Sequence, residues 1–66
     1  MNKFGIIKLS LNAALNACAN GGRVYLLDLE CFEKVREIRY MPIVEIVGLE
    51  KDHEVIFFEV VPEETR

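Results

Sequence analysis

Two β-prone apolar runs in the last third of the chain constrain the fold most strongly. Residues 43–49 (IVEIVGL) and 55–61 (VIFFEVV) flank the polar segment 50–54. Two strand-forming runs with a short polar loop between them are typical of a β-hairpin. Side chains alternate between the two faces of such a hairpin, and two registers fit the pattern. With Ile46 and Phe58 facing the core, the opposite face is also apolar and contains Val47, Leu49, Val55 and Phe57.

The N-terminal third fits two interpretations. Apolar residues recur every three or four positions from Phe4 to Cys18, which predicts an amphipathic helix over about 3–20, ended by Gly21 and Gly22. The alternative is a strand over 3–9 followed by a helix over 11–20 with Ser10 as its cap, because Gly5 weakens a helix and the adjacent isoleucines favour extended structure. Phe4 is expected in the core in both interpretations.

The middle of the chain completes an α+β fold. Residues 23–29 form a nearly continuous apolar run, which is typical of a strand covered on both faces. Apolar residues return to helical spacing over 30–39, and Pro42 ends this predicted short helix. We therefore predict two helices packed on one face of a three-stranded sheet built from 23–29, 43–49 and 55–61.

Size and charge limit the class of protein. The 66 residues form a single small domain, 1–66, with a frayed tail at 62–66. An apolar share of 52% excludes the disordered class. The net charge is −3, and residues 28–66 carry all eleven acidic residues. The sequence shows neither a membrane-spanning run nor a secretory leader, so we expect a soluble, cytoplasmic protein.

Few residues in the chain are suited to catalysis or metal binding. Cys18 and Cys31 lack metal-motif spacing and are expected to be buried thiols, and His53 is expected to be an exposed loop residue. Cys31, at the start of the predicted helix 30–39, is the best candidate for a nucleophile, and His53 is the only neutral base that could activate it. We expect no catalytic site, no metal and no cofactor.

One basic cluster supports an alternative function. Lys34, Arg36, Arg39 and Tyr40 could bind nucleic acid through phosphate contacts and base stacking. Glu33 and Glu37 lie among these bases and weaken the local positive field, so nucleic acid is not the expected partner.

The apolar hairpin face leads to the main functional hypothesis. Two short helices cannot cover both faces of so apolar a sheet, and large exposed apolar patches usually mark partner surfaces. We expect a non-enzymatic protein-interaction module that forms a homodimer through Val47, Leu49, Val55 and Phe57. In a variant of this hypothesis, the acidic half regulates or inhibits a basic protein partner.

Overall fold

A computed structural model describes residues 3–31 and 34–63, without the side chains of residues 3, 4 and 63. In this part of the chain, two α-helices and a four-stranded antiparallel sheet confirm the predicted α+β class. The elements in chain order are β1 (Lys3–Leu9), α1 (Leu11–Ala19), β2 (Arg23–Asp28), β3 (Lys34–Glu37), a 3₁₀ turn (Ile38–Tyr40), α2 (Ile43–Asp52) and β4 (Val55–Glu63).

The last strand lies inside the sheet. The strand order is β1-β4-β2-β3, and each neighbouring pair is antiparallel. β1 and β2 are therefore parallel to each other, and β4 lies between them. In this register, Phe58 of β4 is opposite Lys8 on one side and Tyr25 on the other, and Tyr25 is opposite Glu37 of β3.

The N-terminal segment follows the alternative interpretation. Residues Lys3–Leu9 are extended, and α1 begins after Ser10, whose hydroxyl oxygen accepts a 3.3 Å hydrogen bond from the Ala13 N–H. The single helix over 3–20 is wrong, because the local cap and the β-prone residues before it outweigh the helical spacing. The Phe4 side chain, which we expected in the core, lies outside the described part of the structure.

The end of α1 depends on the two glycines. Gly21 has a φ of +87°, in the left-handed region that favours glycine, and its N–H donates to the Cys18 carbonyl. The Gly22 N–H donates to the Ala17 carbonyl at 2.8 Å, and a Cβ at Gly22 would lie only 2.9 Å from that oxygen. The C-terminal end of α1 therefore closes as the glycine pair predicted.

The predicted helix over 30–39 is wrong. β2 ends at Asp28, one residue before its predicted end, and Lys34–Glu37 then forms an edge strand beside it. Phe32 and Glu33 lie outside the described residues. Val35 and Ile38 are three residues apart, as in a helix. Residues 34–37 nevertheless pair with the free edge of β2, and this pairing outweighs the local helical spacing.

The predicted hairpin does not form, because its first strand is a helix. Residues Ile43–Asp52 form α2, which begins after Pro42, whereas Val55–Glu63 is a strand as predicted. Proline suits the start of a helix as well as the start of a strand. β4 takes β1 and β2 as its neighbours and pairs with β1 through Pro62 and Glu63, so no frayed tail begins at residue 62. Residues 64–66 lie outside the described part.

The core lies between α1, α2 and one face of the sheet. Its buried apolar members come from each layer: Ala14, Val24, Leu26, Ile38, Met41, Ile46 and Phe57. The odd-numbered residues of β4 and the even-numbered residues of β2 point toward the helices.

Neither α1, α2 nor any other helix in residues 3–31 and 34–63 has the length and apolar character needed to cross a membrane.

Candidate interaction surface

The sheet face opposite the helices carries a broad apolar surface, which we call the open face. Its position follows from strand alternation, because the side chains paired across neighbouring strands lie on the same face. The open face consists of Ile6, Lys8, Arg23, Tyr25, Leu27, Val35, Glu37, Ile56, Phe58, Val60 and Pro62. Eight of these eleven residues are apolar or aromatic, an unusual share for the uncovered side of an antiparallel sheet.

An aromatic pair lies at the centre of the open face. The rings of Tyr25 on β2 and Phe58 on β4 stack with centroids 5.5 Å apart and an interplanar angle of 21°. Leu27 and Ile56 are opposite each other two residues along the same strands. Offset-stacked aromatic rings on neighbouring strands stabilise a sheet and form a rigid apolar platform.

The open face is accessible at its edges and partly shielded at its centre. Ile6 is 70% exposed and Val35 50% exposed, while Tyr25, Leu27, Ile56, Phe58 and Val60 are half-buried. Among the described elements, α1 and α2 both pack on the other face, so the central side chains shield only one another. A flat apolar surface of this kind is a candidate for contact with another chain.

The charged residues of the open face lie on different strands. Lys8 on β1 and Glu37 on β3 are near the two edges of the sheet, and Arg23 begins β2. The Glu37 side chain is 18% exposed, and the Arg39 Nε atom lies 2.6 Å from its Oε2 atom. Lys8 therefore lies near one edge of the open face, and the Glu37–Arg39 ion pair lies near the other.

The structure does not bring the four predicted interface residues together. Val47 is exposed on α2, whereas Leu49 and Val55 are partly buried against the core. Phe57 is 4% exposed and belongs to the core itself. The predicted hairpin register is thus wrong, and the uncovered side of β4 carries the even-numbered residues Ile56, Phe58 and Val60.

The even-numbered apolar residues of β4 could be recognised in the sequence, but not the fact that they form the uncovered face. Alternation in residues 55–61 separates two apolar sets, and both have enough apolar character to be buried. Only the position of α1 and α2 decides which set is covered. The even-numbered residues of β4 could therefore be predicted as a set, without predicting that they stay uncovered.

A second apolar patch lies on the helical side of the molecule. Tyr40, Ile43, Val44 and Val47 are exposed there, and Val44 is 80% exposed. We call these four residues the helix patch. A shallow cleft of about 260 Å³ lies beside them between α1 and α2, lined by residues that include Leu15, Ile43 and Ile46. The helix patch is a second candidate contact surface.

The predicted basic cluster is divided between ion pairs. Arg36 Nη1 lies 2.6 Å from Glu45 Oε2, and Arg39 pairs with Glu37. The Arg39 guanidinium also lies 5.0 Å from the centre of the Tyr40 ring. Lys34 and Arg36 point to the helical side of β3, and their register partners are Asp28 and Leu26. The two arginines thus have carboxylate partners, which reduces the positive field available to a phosphate; nucleic-acid binding stays a prediction.

Sequence reasoning missed a polar clasp between two loops. His53, which ends α2, donates from Nδ1 to Asp28 Oδ2 at 2.8 Å, and Asp28 is 6% exposed. Asp28 Oδ1 accepts from the Glu30 N–H, and Glu30 Oε2 accepts from the Glu54 N–H. The backbone N–H of Leu29 donates to the Glu54 carbonyl at 2.9 Å. These bonds join the turn after β2 to the turn between α2 and β4.

The clasp changes the acidity of both ionisable partners. The hydrogen bond from His53 holds the pKa of Asp28 below its ordinary value, although burial opposes this shift. The same bond raises the pKa of His53, again against the effect of burial. His53 and Asp28 therefore favour the imidazolium–carboxylate state, and the histidine is not the solvated loop residue that the sequence predicted.

The cysteines occupy two different environments. Cys18 is partly buried against the core, as a structural thiol would be, whereas Cys31 is exposed and not buried as predicted. Cys31 lies in the turn after β2 and not at the start of a helix, where the sequence placed it. Within residues 3–31 and 34–63, no three histidine, cysteine or carboxylate side chains are grouped as metal ligands would be.

The comparisons with known proteins found no match. The sequence matches no family model, and searches of curated proteins and of solved structures give no match. The proposed function therefore rests on the surface of the chain itself.

Proposed function

We propose that this chain is a non-enzymatic protein-interaction module that forms a homodimer through its open face. The observation that supports the proposal is the uncovered Tyr25–Phe58 pair, surrounded by apolar side chains from each strand of the sheet. Two such faces from two copies would cover each other as the sheets of a β-sandwich do, about 10 Å apart. The resulting dimer has helices outside and two sheets inside.

The size of the open face sets the expected affinity. A strand spacing of about 4.8 Å and a rise of about 3.4 Å per residue give it a flat area of about 400 Å². Two copies packed face to face then bury about 800 to 1,000 Å² in total, at the low end for specific interfaces. We therefore expect a dissociation constant in the micromolar range, on the order of 10 μM.

The open face is a better dimer surface than the helix patch. Aromatic anchors at the centre of a patch, surrounded by apolar neighbours, supply most of the binding energy in known interfaces. The open face has this arrangement on a rigid sheet. The helix patch consists of Tyr40 in the 3₁₀ turn and three side chains of one short helix.

Sedimentation equilibrium on matched glutamate variants tests the proposal. Phe58→Glu places two carboxylates in the dimer interface, and we expect the dissociation constant to rise at least thirtyfold because each would be desolvated there. Val44→Glu carries the same charge change on the helix patch, and its dimer should keep the affinity of the wild type. Circular dichroism on each variant checks that the monomer remains folded.

A second open-face variant covers the case in which Phe58→Glu does not fold. Leu27→Glu changes a half-buried residue on the neighbouring strand and should weaken the dimer in the same way. A wild-type chain that stays monomeric up to about 100 μM contradicts the proposal. A dimer that is lost in Val44→Glu and kept in both open-face variants also contradicts it.

A further inference from the structure

One row of side chains crosses the whole open face at right angles to the strands. The register places Lys8 on β1, then Phe58 on β4, Tyr25 on β2 and Glu37 on β3. The row thus begins with a cation, continues through the stacked aromatic pair and ends with an anion. Its midpoint lies between β4 and β2, where the two rings meet.

We infer that the open face is covered by a second copy whose two-fold axis runs parallel to the strands, which pairs Lys8 with the partner's Glu37 at both edges. The inference rests on the proposed function and adds the orientation of the partner. Rotation about an axis along the strands reverses the order of the row in the second copy. Phe58 then lies over the partner's Tyr25, and the charged ends of the two rows are complementary.

The other simple arrangement is electrostatically unfavourable. In a face-to-face dimer the two-fold axis lies in the interface, and an axis along the row keeps the order of the row in both copies. Lys8 would then be opposite the partner's Lys8, and Glu37 opposite the partner's Glu37. Like charges facing each other across a partly desolvated interface destabilise it, so the charges select the axis along the strands.

The carboxylate of Glu37 retains capacity for such a partner. Arg39 Nε lies 2.6 Å from its Oε2 atom, and that oxygen is buried within the monomer. The 18% of the Glu37 side chain that is exposed therefore belongs to its other atoms, and these are the ones that can face the partner's Lys8. Facing sheets lie about 10 Å apart, a gap that a lysine and a glutamate side chain can span together. Arg23 lies opposite the partner's Val60 in this arrangement, where its aliphatic stem can pack.

Complementary charge reversal tests the orientation. In Lys8→Glu each end of the dimer brings two carboxylates together, and in Glu37→Lys each end brings two ammonium groups together. We expect each variant alone to dimerise about tenfold more weakly than the wild type at low salt. An equimolar mixture restores opposite charges at both ends, so mixed dimers should form with near wild-type affinity and predominate in native mass spectra.

Three controls accompany this experiment. Lys51→Glu and Glu50→Lys make the same charge changes on exposed positions of α2 and should leave the dissociation constant unchanged. The double variant Lys8→Glu with Glu37→Lys should regain affinity, although it has the same loss of the Arg39 contact as Glu37→Lys alone. This comparison separates an effect on the interface from an effect on the monomer.

The outcomes distinguish the orientation from the proposed function. If Phe58→Glu abolishes dimers while neither Lys8→Glu nor Glu37→Lys alone weakens them, the open face is the interface and the orientation is wrong, because an axis along the row already places like charges together in the wild type. If Phe58→Glu leaves the dimer intact, the proposed function itself fails. The inference is supported when each single variant dimerises about tenfold more weakly than the wild type at low salt, the double variant regains affinity, and these differences disappear near 1 M salt.

Discussion

At the scale of single residues, Asp28 and His53 show how a small protein fixes its loops. Asp28 ends β2 on the buried side of the sheet, where an unpaired carboxylate would be costly. The hydrogen bonds from His53 and from the Glu30 backbone satisfy its two oxygens. The pair therefore stabilises a strand end that the apolar core alone could not cover.

We predict that the clasp stabilises the fold at intermediate pH and that this stabilisation is lost at both high and low pH. The raised pKa of His53 gives stability that is complete below its ordinary value of 6.5 and is lost as the pH rises through the folded-state pKa. The lowered pKa of Asp28 gives stability that is present above its ordinary value of 3.8 and is lost as the pH falls through the folded-state pKa. Chemical denaturation from pH 3 to 9 should show a maximum between these limits.

His53→Gln provides the matched variant for this measurement. It removes the titrating group and keeps a side chain that can donate to Asp28. We expect the decrease in unfolding free energy above pH 6.5 to disappear in the variant. Titration of the His53 ring by NMR should give a pKa above 6.5, and a value at or below it would show that the clasp is not formed in solution.

At the scale of elements, α2 shows what a local pattern can and cannot decide. Its residues Ile43, Ile46 and Leu49 are three apart, while Val44, Ile46 and Gly48 alternate, so helix and strand patterns are both present in one segment. β-branched residues shifted the sequence prediction toward a strand. The buried side of α2 and its Arg36–Glu45 ion pair depend on β3, which the segment itself cannot reveal.

Other elements could be predicted because their determinants are local. The Ser10 cap and the Gly21–Gly22 pair mark the two ends of α1, and both lie within five residues of the groups they bond. β3 is the opposite case, because its register comes from the free edge of β2. The apolar surplus of the sheet was also predictable, whereas the identity of the uncovered residues depended on where the helices lie.

Substitutions at Gly48 test the helical state of α2. Gly48 is inside the helix, and a Cβ there would meet no atom within 4 Å. Gly48→Ala should therefore raise the unfolding free energy by about 0.5 to 1 kcal/mol, because glycine loses more backbone entropy than alanine in a helix. Gly48→Val should give a smaller gain, since β-branching restricts valine in a helix.

Chemical denaturation of the two Gly48 variants shows whether residues 43–49 are a helix or a strand in solution. In a helix alanine is the more stabilising residue, whereas in the strand predicted from sequence valine would be. A valine variant more stable than the alanine variant would therefore show that residues 43–49 are extended in solution.

At the scale of the whole molecule, one layer of helices covers one face of the sheet and leaves the other face to a partner. A chain of this length has a small core, and its net stability as a monomer is on the order of 3 to 5 kcal/mol. Covering the open face in a dimer removes more apolar area from water without lengthening the chain. Folding and association are therefore expected to be thermodynamically linked.

Linkage predicts a melting temperature that rises with protein concentration. Above the dissociation constant, each tenfold increase should raise the Tm by about 5 °C, given an unfolding enthalpy of about 0.7 kcal/mol per residue for both chains. Calorimetry at protein concentrations between 5 and 500 μM measures this change in Tm. Phe58→Glu should lose this dependence of the Tm on concentration and should melt below the dilute wild type, because it removes both the partner and the stacking of Phe58 on Tyr25. A wild-type Tm that is constant across this range would mean that the open face stays exposed in the folded state, and its apolar surface would then require a different partner.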